Sequence, residues 1–259
     1  MSILKDSNKE SGFTLVELAV VMTIIGLLVG GILKGQEIVE NARLTATIAQ
    51  IDAYRAAINT FFDKYDNLPG DLINAQNRLP DCDGTPVTNC YQGDGNNQVG
   101  IGFGATLADW PFETESQSMT SERIQLWVHL FKSDLINGIT LTGNITWGES
   151  HPHAKLGVGG IDISHSMPFK DGVGAFRIQG RANFPANGDL ITSAGADQVV
   201  SAYRLSAMDR KIDDGKGNIG FVQGSSPNRD GSCVNAATGV YQTDIAKFCV
   251  PFFEIGSGL

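Results

Sequence analysis

The longest apolar run of the chain extends from Phe13 to Leu33, and Glu17 is its only ionisable residue. The run is long enough for a transmembrane helix of about 20 residues. It is too long for a cleaved secretory signal, and no small-residue cleavage site follows it. Because a carboxylate in hydrocarbon costs roughly 2.5–3.5 kcal/mol, we expect Glu17 either to reach the membrane surface or to have a positive partner.

A helical pattern continues beyond this run. Residues 36–65 contain neither proline nor glycine, and large apolar residues recur there at steps of three or four positions. This spacing places them on one face of a helix, opposite a polar face. The apolar positions are Ile48, Ile51, Tyr54, Ile58, Phe61 and Tyr65. Pro69-Gly70 fits the centre of a type II turn, so we expect the helix to end within residues 66–71.

The remainder of the chain alternates short apolar segments with loops rich in Asn, Asp and Gly. One further helix is predicted, capped by Thr120 or Ser121 and extending to Gly138, because apolar residues such as Ile124 and Trp127 share a face. Strands are predicted at residues 139–147, 174–180, 220–224 and 247–255. A long helix followed by strands predicts an α+β fold with an antiparallel sheet.

Charge narrows the functional classes. The 259-residue chain has a formal net charge of −9 and no basic run. Phosphate recognition requires a basic surface, so we expect no nucleic-acid partner. No G-x-S-x-G, Walker or H-E-x-x-H motif is present, and no enzyme class is indicated.

The sequence GFTLVE at residues 12–17, followed by the apolar run, resembles the class III signal of type IV pilins and type II secretion pseudopilins. The resemblance implies that a prepilin peptidase cuts between Gly12 and Phe13 and methylates the new amine of Phe13. Methylation keeps the positive charge of this amine. The resemblance also implies that Glu17 pairs with the Phe13 ammonium of a neighbouring subunit, since a buried charge is tolerable when it is paired.

The resemblance implies an organisation, a location and a set of partners. Residues 1–12 would be a cytoplasmic leader, 13–35 the transmembrane and assembly half of the helix, 36–66 its amphipathic half, and 67–259 a periplasmic or extracellular domain. The subunit would cross the inner membrane once and then enter a filament. Its partners would be the peptidase/methyltransferase, an inner-membrane assembly platform, and other pilin or pseudopilin subunits.

Two features depart from the family pattern. Family leaders are usually basic, whereas here Lys5 and Lys9 are offset by Asp6 and Glu10. The proline that many pilins have near the end of the span is absent, and glycines occupy that region. They permit either bending or close helix packing. These glycines are Gly26, Gly30, Gly31 and Gly35.

Four cysteines in an exported domain suggest disulfides, for which three connectivities are possible. We expect Cys82–Cys90 and Cys233–Cys249, because both would close glycine-rich loops. The second pair also resembles the C-terminal disulfide loop of many pilins. Zinc is the alternative, but no C-x-x-C spacing supports it.

Two groups of residues could hold a metal. Glu149, His151, His153 and His165 form a histidine-rich patch, for which Pro152 and neighbouring glycines favour a solvated loop instead. Asp209, Asp213, Asp214 and Asn218 offer the hard oxygen ligands of calcium, which some pseudopilins bind in their C-terminal region. The alternative is a capping box formed by Ser206 and Asp209 on a short helix that ends at Gly215.

Two functional classes follow. The first is a structural filament subunit that assembles through its N-terminal helix, without cofactor except possible calcium. The second is a membrane-anchored periplasmic binding domain or enzyme. An anchor needs neither the cleavage signal nor Glu17, and these features therefore favour the filament subunit.

Overall fold

A computed structural model describes residues 14–85, 89–97, 99, 119–143, 147–157, 159–164, 175–179, 200–225, 233–235, 237–243 and 248–255. The chain divides into two compact units, Met1–Ala42 and Arg43–Leu259. The described elements confirm the α+β layout, with a long apolar N-terminal helix and an antiparallel sheet.

The first helix, α1, extends from Leu15 to Tyr65 without a break, including its four glycines. In the second unit its buried face contains Ile51, Tyr54 and Phe61, as the periodicity predicts. The helix ends as expected. Asp66 has a left-handed backbone with φ of 51°. The Asp71 N–H then donates to the Leu68 carbonyl at 3.2 Å across the Pro69-Gly70 turn.

The described residues of the second unit form three further helices and five strands. The helices are α2 (Ala75–Arg78), α3 (Glu122–Lys132) and α4 (Ala202–Ile212), and the strands are β1 (Gly160–Ser164), β2 (Ala175–Gln179), β3 (Val200–Ser201), β4 (Val222–Ser225) and β5 (Phe248–Glu254). Strand β5 is central, because it pairs antiparallel with β2, β3 and β4, while β1 pairs antiparallel with β2. The predicted strands at 174–180, 220–224 and 247–255 are therefore confirmed as β2, β4 and β5.

Two sequence-based predictions about elements are wrong, and strands β1 and β3 were not predicted. Residues 139–143 of the strand predicted at 139–147 are not extended, because Leu141 and Gly143 have φ of 50° and 93°, and Trp147 forms an isolated bridge with His151. The third helix ends at Lys132 instead of continuing to Gly138, since Asp134 has φ of 59° and the Leu135 N–H donates to the Leu130 carbonyl.

The capping-box interpretation of Ser206 and Asp209 is also wrong. Helix α4 begins at Ala202, five residues earlier than a box with Ser206 as N-cap requires. Its N-cap is Ser201, whose side chain accepts a hydrogen bond from the Arg204 N–H at 3.3 Å. Ser206 and Asp209 lie inside the helix and are buried.

The core of the second unit lies between the buried face of α1, helix α3 and the sheet. Tyr54 packs edge-on against Trp127, with ring centroids 5.1 Å apart, and both contact Phe176 of β2. Phe61 and Trp127 are completely buried. A fully buried aromatic side chain contributes several kcal/mol, so this cluster fixes the helices on the sheet.

Both expected disulfides are formed. Cys82 is bonded to Cys90 across 8 positions, and Cys233 to Cys249 across 16. The second disulfide attaches the loop before Tyr241 to the central strand β5. Metal binding by these cysteines is excluded by their pairing, so the zinc alternative is wrong for them.

Candidate functional site

The N-terminal site is built on the first turn of α1. Thr14 immediately precedes the helix, and Glu17 is its third helical residue. Glu17 Oε2 accepts hydrogen bonds from the Thr14 N–H at 2.9 Å and from the Thr14 hydroxyl at 2.8 Å. In return, the Glu17 N–H donates to Thr14 Oγ1 at 3.2 Å. This reciprocal arrangement is a capping box, which satisfies amide groups that a helix start would otherwise leave unpaired.

The capping box gives Glu17 local partners that were not expected from the sequence. Both donors from Thr14 are neutral, and both go to Oε2. Within the described residues, Oε1 of Glu17 receives no hydrogen bond and remains available to a further donor. Gly12 and Phe13, the predicted cleavage and methylation positions, lie outside the described residues.

The apolar part of α1 is exposed in the isolated chain. Leu15 and Leu27 are 90% and 80% exposed, and large apolar side chains throughout the span are at least half or nearly half exposed. The helix is long and apolar enough to cross a membrane. Such a surface is far larger than a soluble monomer exposes, so it requires lipid or other protein around it.

Residues 7–33 match the family model for the prokaryotic N-terminal methylation motif. The match supports a prepilin signal of the type IV pilin and pseudopilin kind at these residues. No curated protein matches the chain, and no solved structure matches it.

Three of the four predicted calcium ligands lie together at the end of α4. Ligand atoms of Asp209, Asp213 and Asp214 are all within 4.8 Å of one another. Asp209 accepts hydrogen bonds from the Tyr241 hydroxyl at 2.8 Å and the Gly215 N–H at 3.2 Å. Burial raises the pKa of Asp209, and the charges of Asp213 and Asp214 reinforce this against the two hydrogen bonds.

Together with burial, the same carboxylates raise the pKa of Tyr241, and they accept hydrogen bonds from the surrounding loop. Burial and the hydrogen bond to Asp209 raise the pKa of Tyr241. Asp213 and Asp214 each accept a backbone N–H, from Val222 at 3.0 Å and Lys216 at 2.8 Å. Oδ1 of the fourth predicted ligand, Asn218, occupies the space that a Cβ of residue 239 would need, so Gly239 cannot be replaced without moving Asn218. Carboxylate oxygens in this number fit a hard cation, since a positive ion would offset their mutual repulsion.

A second acidic cluster, formed by Asp71, Asp94 and Glu122, was not predicted. Asp71 is buried and accepts the N–H groups of residues 95, 96 and 97 at 2.6, 3.1 and 2.7 Å. Burial raises the pKa of Asp71, although these hydrogen bonds oppose it. The cluster fixes the loop at 93–97 beside the start of α3.

The histidine-rich patch does not form the solvated loop that the sequence suggested. His151 is 2% exposed, and its Nε2 lies 3.5 Å from Oδ1 of the buried Asp162 on β1. Arg123 of α3 and Arg177 of β2 also bind Asp162. His153 is exposed, Glu149 is partly exposed, and His165 lies outside the described residues.

The charges around Asp162 explain how a carboxylate is tolerated in the core. Burial alone would raise its pKa, but the Arg123 guanidinium, His151 and Arg177 together hold the pKa of Asp162 far below its usual range. A buried charge is stable only when it is paired and hydrogen-bonded in this way. The cluster therefore connects α3, β1, β2 and the loop at 147–151.

Ser150, His151 and Asp162 also contact one another in the sequence serine–histidine–aspartate that is typical of a hydrolase triad. Ser150 Oγ lies 2.8 Å from His151 Nδ1, whose other nitrogen faces Asp162. However, Ser150 is completely buried, so a substrate has no access to its hydroxyl. Asp162 is also neutralised by two guanidinium groups instead of serving the imidazole alone. The arrangement suits a structural role and gives the anchored-enzyme alternative no support.

His129 is a buried histidine whose role the sequence did not indicate. Its Nδ1 accepts a hydrogen bond from the Gly70 N–H at 2.9 Å, and its Nε2 donates to the Tyr91 carbonyl at 2.7 Å. The imidazole ring stacks on the Phe61 ring, with ring centroids 6.1 Å apart. Burial lowers the pKa of His129 to about 4, despite the hydrogen bond to Tyr91. The neutral imidazole thus joins α3 to the turn after α1 and to the loop after Cys90.

Of the residues that were missed, Thr14 had a readable signal. Threonine followed three positions later by glutamate, ahead of an apolar run, is the capping-box pattern. The partners of His129 and Asp162 had none, because they are distant in sequence. Arg123 and Asp162 are separated by 39 positions, and His129 and Gly70 by 59.

Proposed function

We propose that this chain is a structural subunit, a pilin-like protein or pseudopilin, that assembles through its N-terminal helix into a type IV pilus or a type II secretion pseudopilus. The observation that carries the proposal is the methylation motif at residues 7–33, which includes the first part of the exposed apolar helix. The proposed partners are a prepilin peptidase/methyltransferase, an inner-membrane assembly platform and other subunits.

Processing prepares the subunit for assembly. The peptidase cuts the Gly12–Phe13 peptide bond, which releases a leader of residues 1–12 on the cytoplasmic side and leaves an ammonium on Phe13. Methylation preserves this charge. Thr14 is the next residue, and its amide and hydroxyl bind Glu17. The capping box therefore starts the helix directly after the new N-terminus and keeps the Glu17 carboxylate next to it.

Glu17 then determines where the subunit binds in the filament. In the membrane its Oε2 is bound by Thr14, while Oε1 is open to a donor. In the filament the Phe13 ammonium of an adjacent subunit donates to Glu17 as a charge-assisted hydrogen bond. An unpaired carboxylate in hydrocarbon is unfavourable, so pairing favours the docked subunit. The exposed apolar side chains of the span become covered by neighbouring helices.

The second unit is built to remain folded outside the cytoplasm. Its two disulfides require an oxidising compartment such as the periplasm. The acidic cluster at the end of α4 offers oxygen ligands to calcium, which we propose as its cation, held by Asp209, Asp213 and Asp214. Bound calcium would neutralise repulsion among three carboxylates and stabilise the loop that follows α4.

The test of the assembly role is Glu17→Ala, with Glu37→Ala as the matched control. Glu37 is an exposed carboxylate on the same helix and is paired with Lys34 at 2.6 Å. Removing one partner of a buried ion pair costs about 3–5 kcal/mol. We expect Glu17→Ala to be inserted and cut after Gly12 but to stay in the membrane fraction, while Glu37→Ala enters sheared filaments normally.

Two outcomes separate this proposal from the anchored alternative. Normal entry of Glu17→Ala into filaments would refute the assembly role of Glu17. If the chain is an anchored enzyme or binding domain, neither variant changes its distribution, and both stay in the membrane fraction together with the wild type.

A further inference from the structure

The loop after α3 contains an asparagine–glycine pair without structural restraint. Asn137 and Gly138 are both exposed and lie outside every helix and strand. Gly138 has φ of 90°, and a side chain there would meet no atom within 4 Å. Within the described residues, neither the Asn137 side chain nor the Gly138 N–H makes a hydrogen bond. The glycine amide nitrogen is therefore free to approach the side-chain amide of Asn137.

Three aspartate–glycine pairs among the described residues of the same domain provide an internal comparison. They are Asp83-Gly84, Asp94-Gly95 and Asp214-Gly215. In each, the aspartate Oδ1 accepts the backbone N–H two residues later, from Thr85 at 2.9 Å, Asn96 at 3.0 Å and Lys216 at 2.8 Å. These hydrogen bonds hold the carboxylate away from its own following nitrogen. Asn137 has no such hydrogen bond.

We infer that Asn137 is a site of spontaneous deamidation in the folded protein. The deprotonated Gly138 amide nitrogen attacks Cγ of Asn137, a C–N bond forms, and the side-chain nitrogen leaves as ammonia with the transferred proton. Water then opens the cyclic imide at either carbonyl, which gives aspartate or isoaspartate. The step needs only water and base, and no oxidant or cofactor. Glycine permits it because it has no Cβ to obstruct ring closure.

The modification changes the surface of the domain. It adds one negative charge at an exposed loop of a chain that already has a net charge of −9. In the isoaspartate product the Cβ of residue 137 enters the main chain, which lengthens the backbone by one methylene group two positions before the buried Ile139. Aged protein is therefore expected to contain a more acidic form, and peptide mapping distinguishes conversion at Asn137 from conversion at Asn187, which also precedes a glycine.

The experiment compares folded and unfolded full-length chains at one mildly alkaline pH, the folded chain in detergent and the unfolded chain reduced and in urea. Conversion at each site is followed over time by peptide mass spectrometry. We expect Asn137 to convert in the folded protein within about threefold of its unfolded rate, because no local opening is needed. Conversion of the three aspartates should be about tenfold or more slower in the folded chain than in the unfolded chain, since their hydrogen bonds must break first.

Asn137→Gln is the control variant, because glutamine keeps the amide but would have to close a larger ring. It should eliminate conversion in the peptide that contains position 137 without changing the unfolding midpoint. The inference is overturned if folding slows Asn137 as much as the three aspartates, if Asn137 stays intact in the folded protein, or if that peptide of Asn137→Gln converts at the wild-type rate.

Discussion

Protonation of His129 is expected to destabilise the folded domain, and His129→Gln removes this titration. In the fold Nδ1 accepts from the Gly70 N–H, so it must carry no proton. A proton there would place two donors against each other and charge a completely buried ring. The glutamine amide has an acceptor oxygen and a donor NH2 group, so it keeps part of the hydrogen bonding but does not titrate.

The magnitude follows from the difference between the folded and unfolded pKa values. Burial lowers the pKa of His129 from 6.5 to about 4. Because the unfolded chain then binds more protons below pH 6.5, stability falls as the pH decreases through this window and changes no further below about 4. The full loss is about 3 kcal/mol, and about 2 kcal/mol of it is present at roughly pH 5.

The assay is urea unfolding of both proteins in detergent, followed by tryptophan fluorescence, at about pH 7.5 and about pH 5. At the higher pH the variant is the less stable protein, since it replaces a well-fitted ring. On acidification the wild type should lose about 2 kcal/mol more than the variant. Other titrating groups cancel in this comparison. Parallel pH profiles for the two proteins would refute the reasoning.

Three further changes test other parts of the account. Asp162→Asn leaves buried guanidinium groups without a counter-charge, so it should lower the free energy of unfolding in urea by about 3–5 kcal/mol. The exposed Asp134→Asn should change it little, and equal effects of the two substitutions would contradict the buried cluster. Calcium at about a hundredfold excess over its Kd should stabilise the domain by about 2.7 kcal/mol, and Asp214→Asn should reduce this stabilisation. Identical melting curves with calcium and with chelator would rule the site out. Replacing Cys233 and Cys249 by alanine should cost about 3 kcal/mol by calorimetry, and an unchanged midpoint would contradict a stabilising disulfide.

The parts of the fold that follow local rules were predictable from the sequence. The spacing of Ile51, Tyr54 and Phe61 indicates the buried face of α1, and Pro69-Gly70 indicates the turn after it. A strand was predicted at residues 247–255, and the structure contains it as the central strand β5. The cysteine pairs are close in sequence, and the structure contains both disulfides.

The parts that depend on distant partners were not predictable. Asp162 reads as a surface residue until Arg123 and Arg177 are placed beside it, and His151 appears in a polar loop although it is buried against Asp162. The strand predicted at 139–147 has the right composition, but Leu141 adopts a left-handed backbone that composition does not reveal. Tertiary contacts override local propensity at these positions.

The most direct test of the central claim is mass spectrometry of the N-terminus of the chain recovered from a sheared filament fraction. The account predicts a mature protein that begins at Phe13 with a methylated amine, while Glu17→Ala gives the same N-terminus only in the membrane fraction. A chain that retains Met1 or Ser2 as its N-terminus would contradict the account.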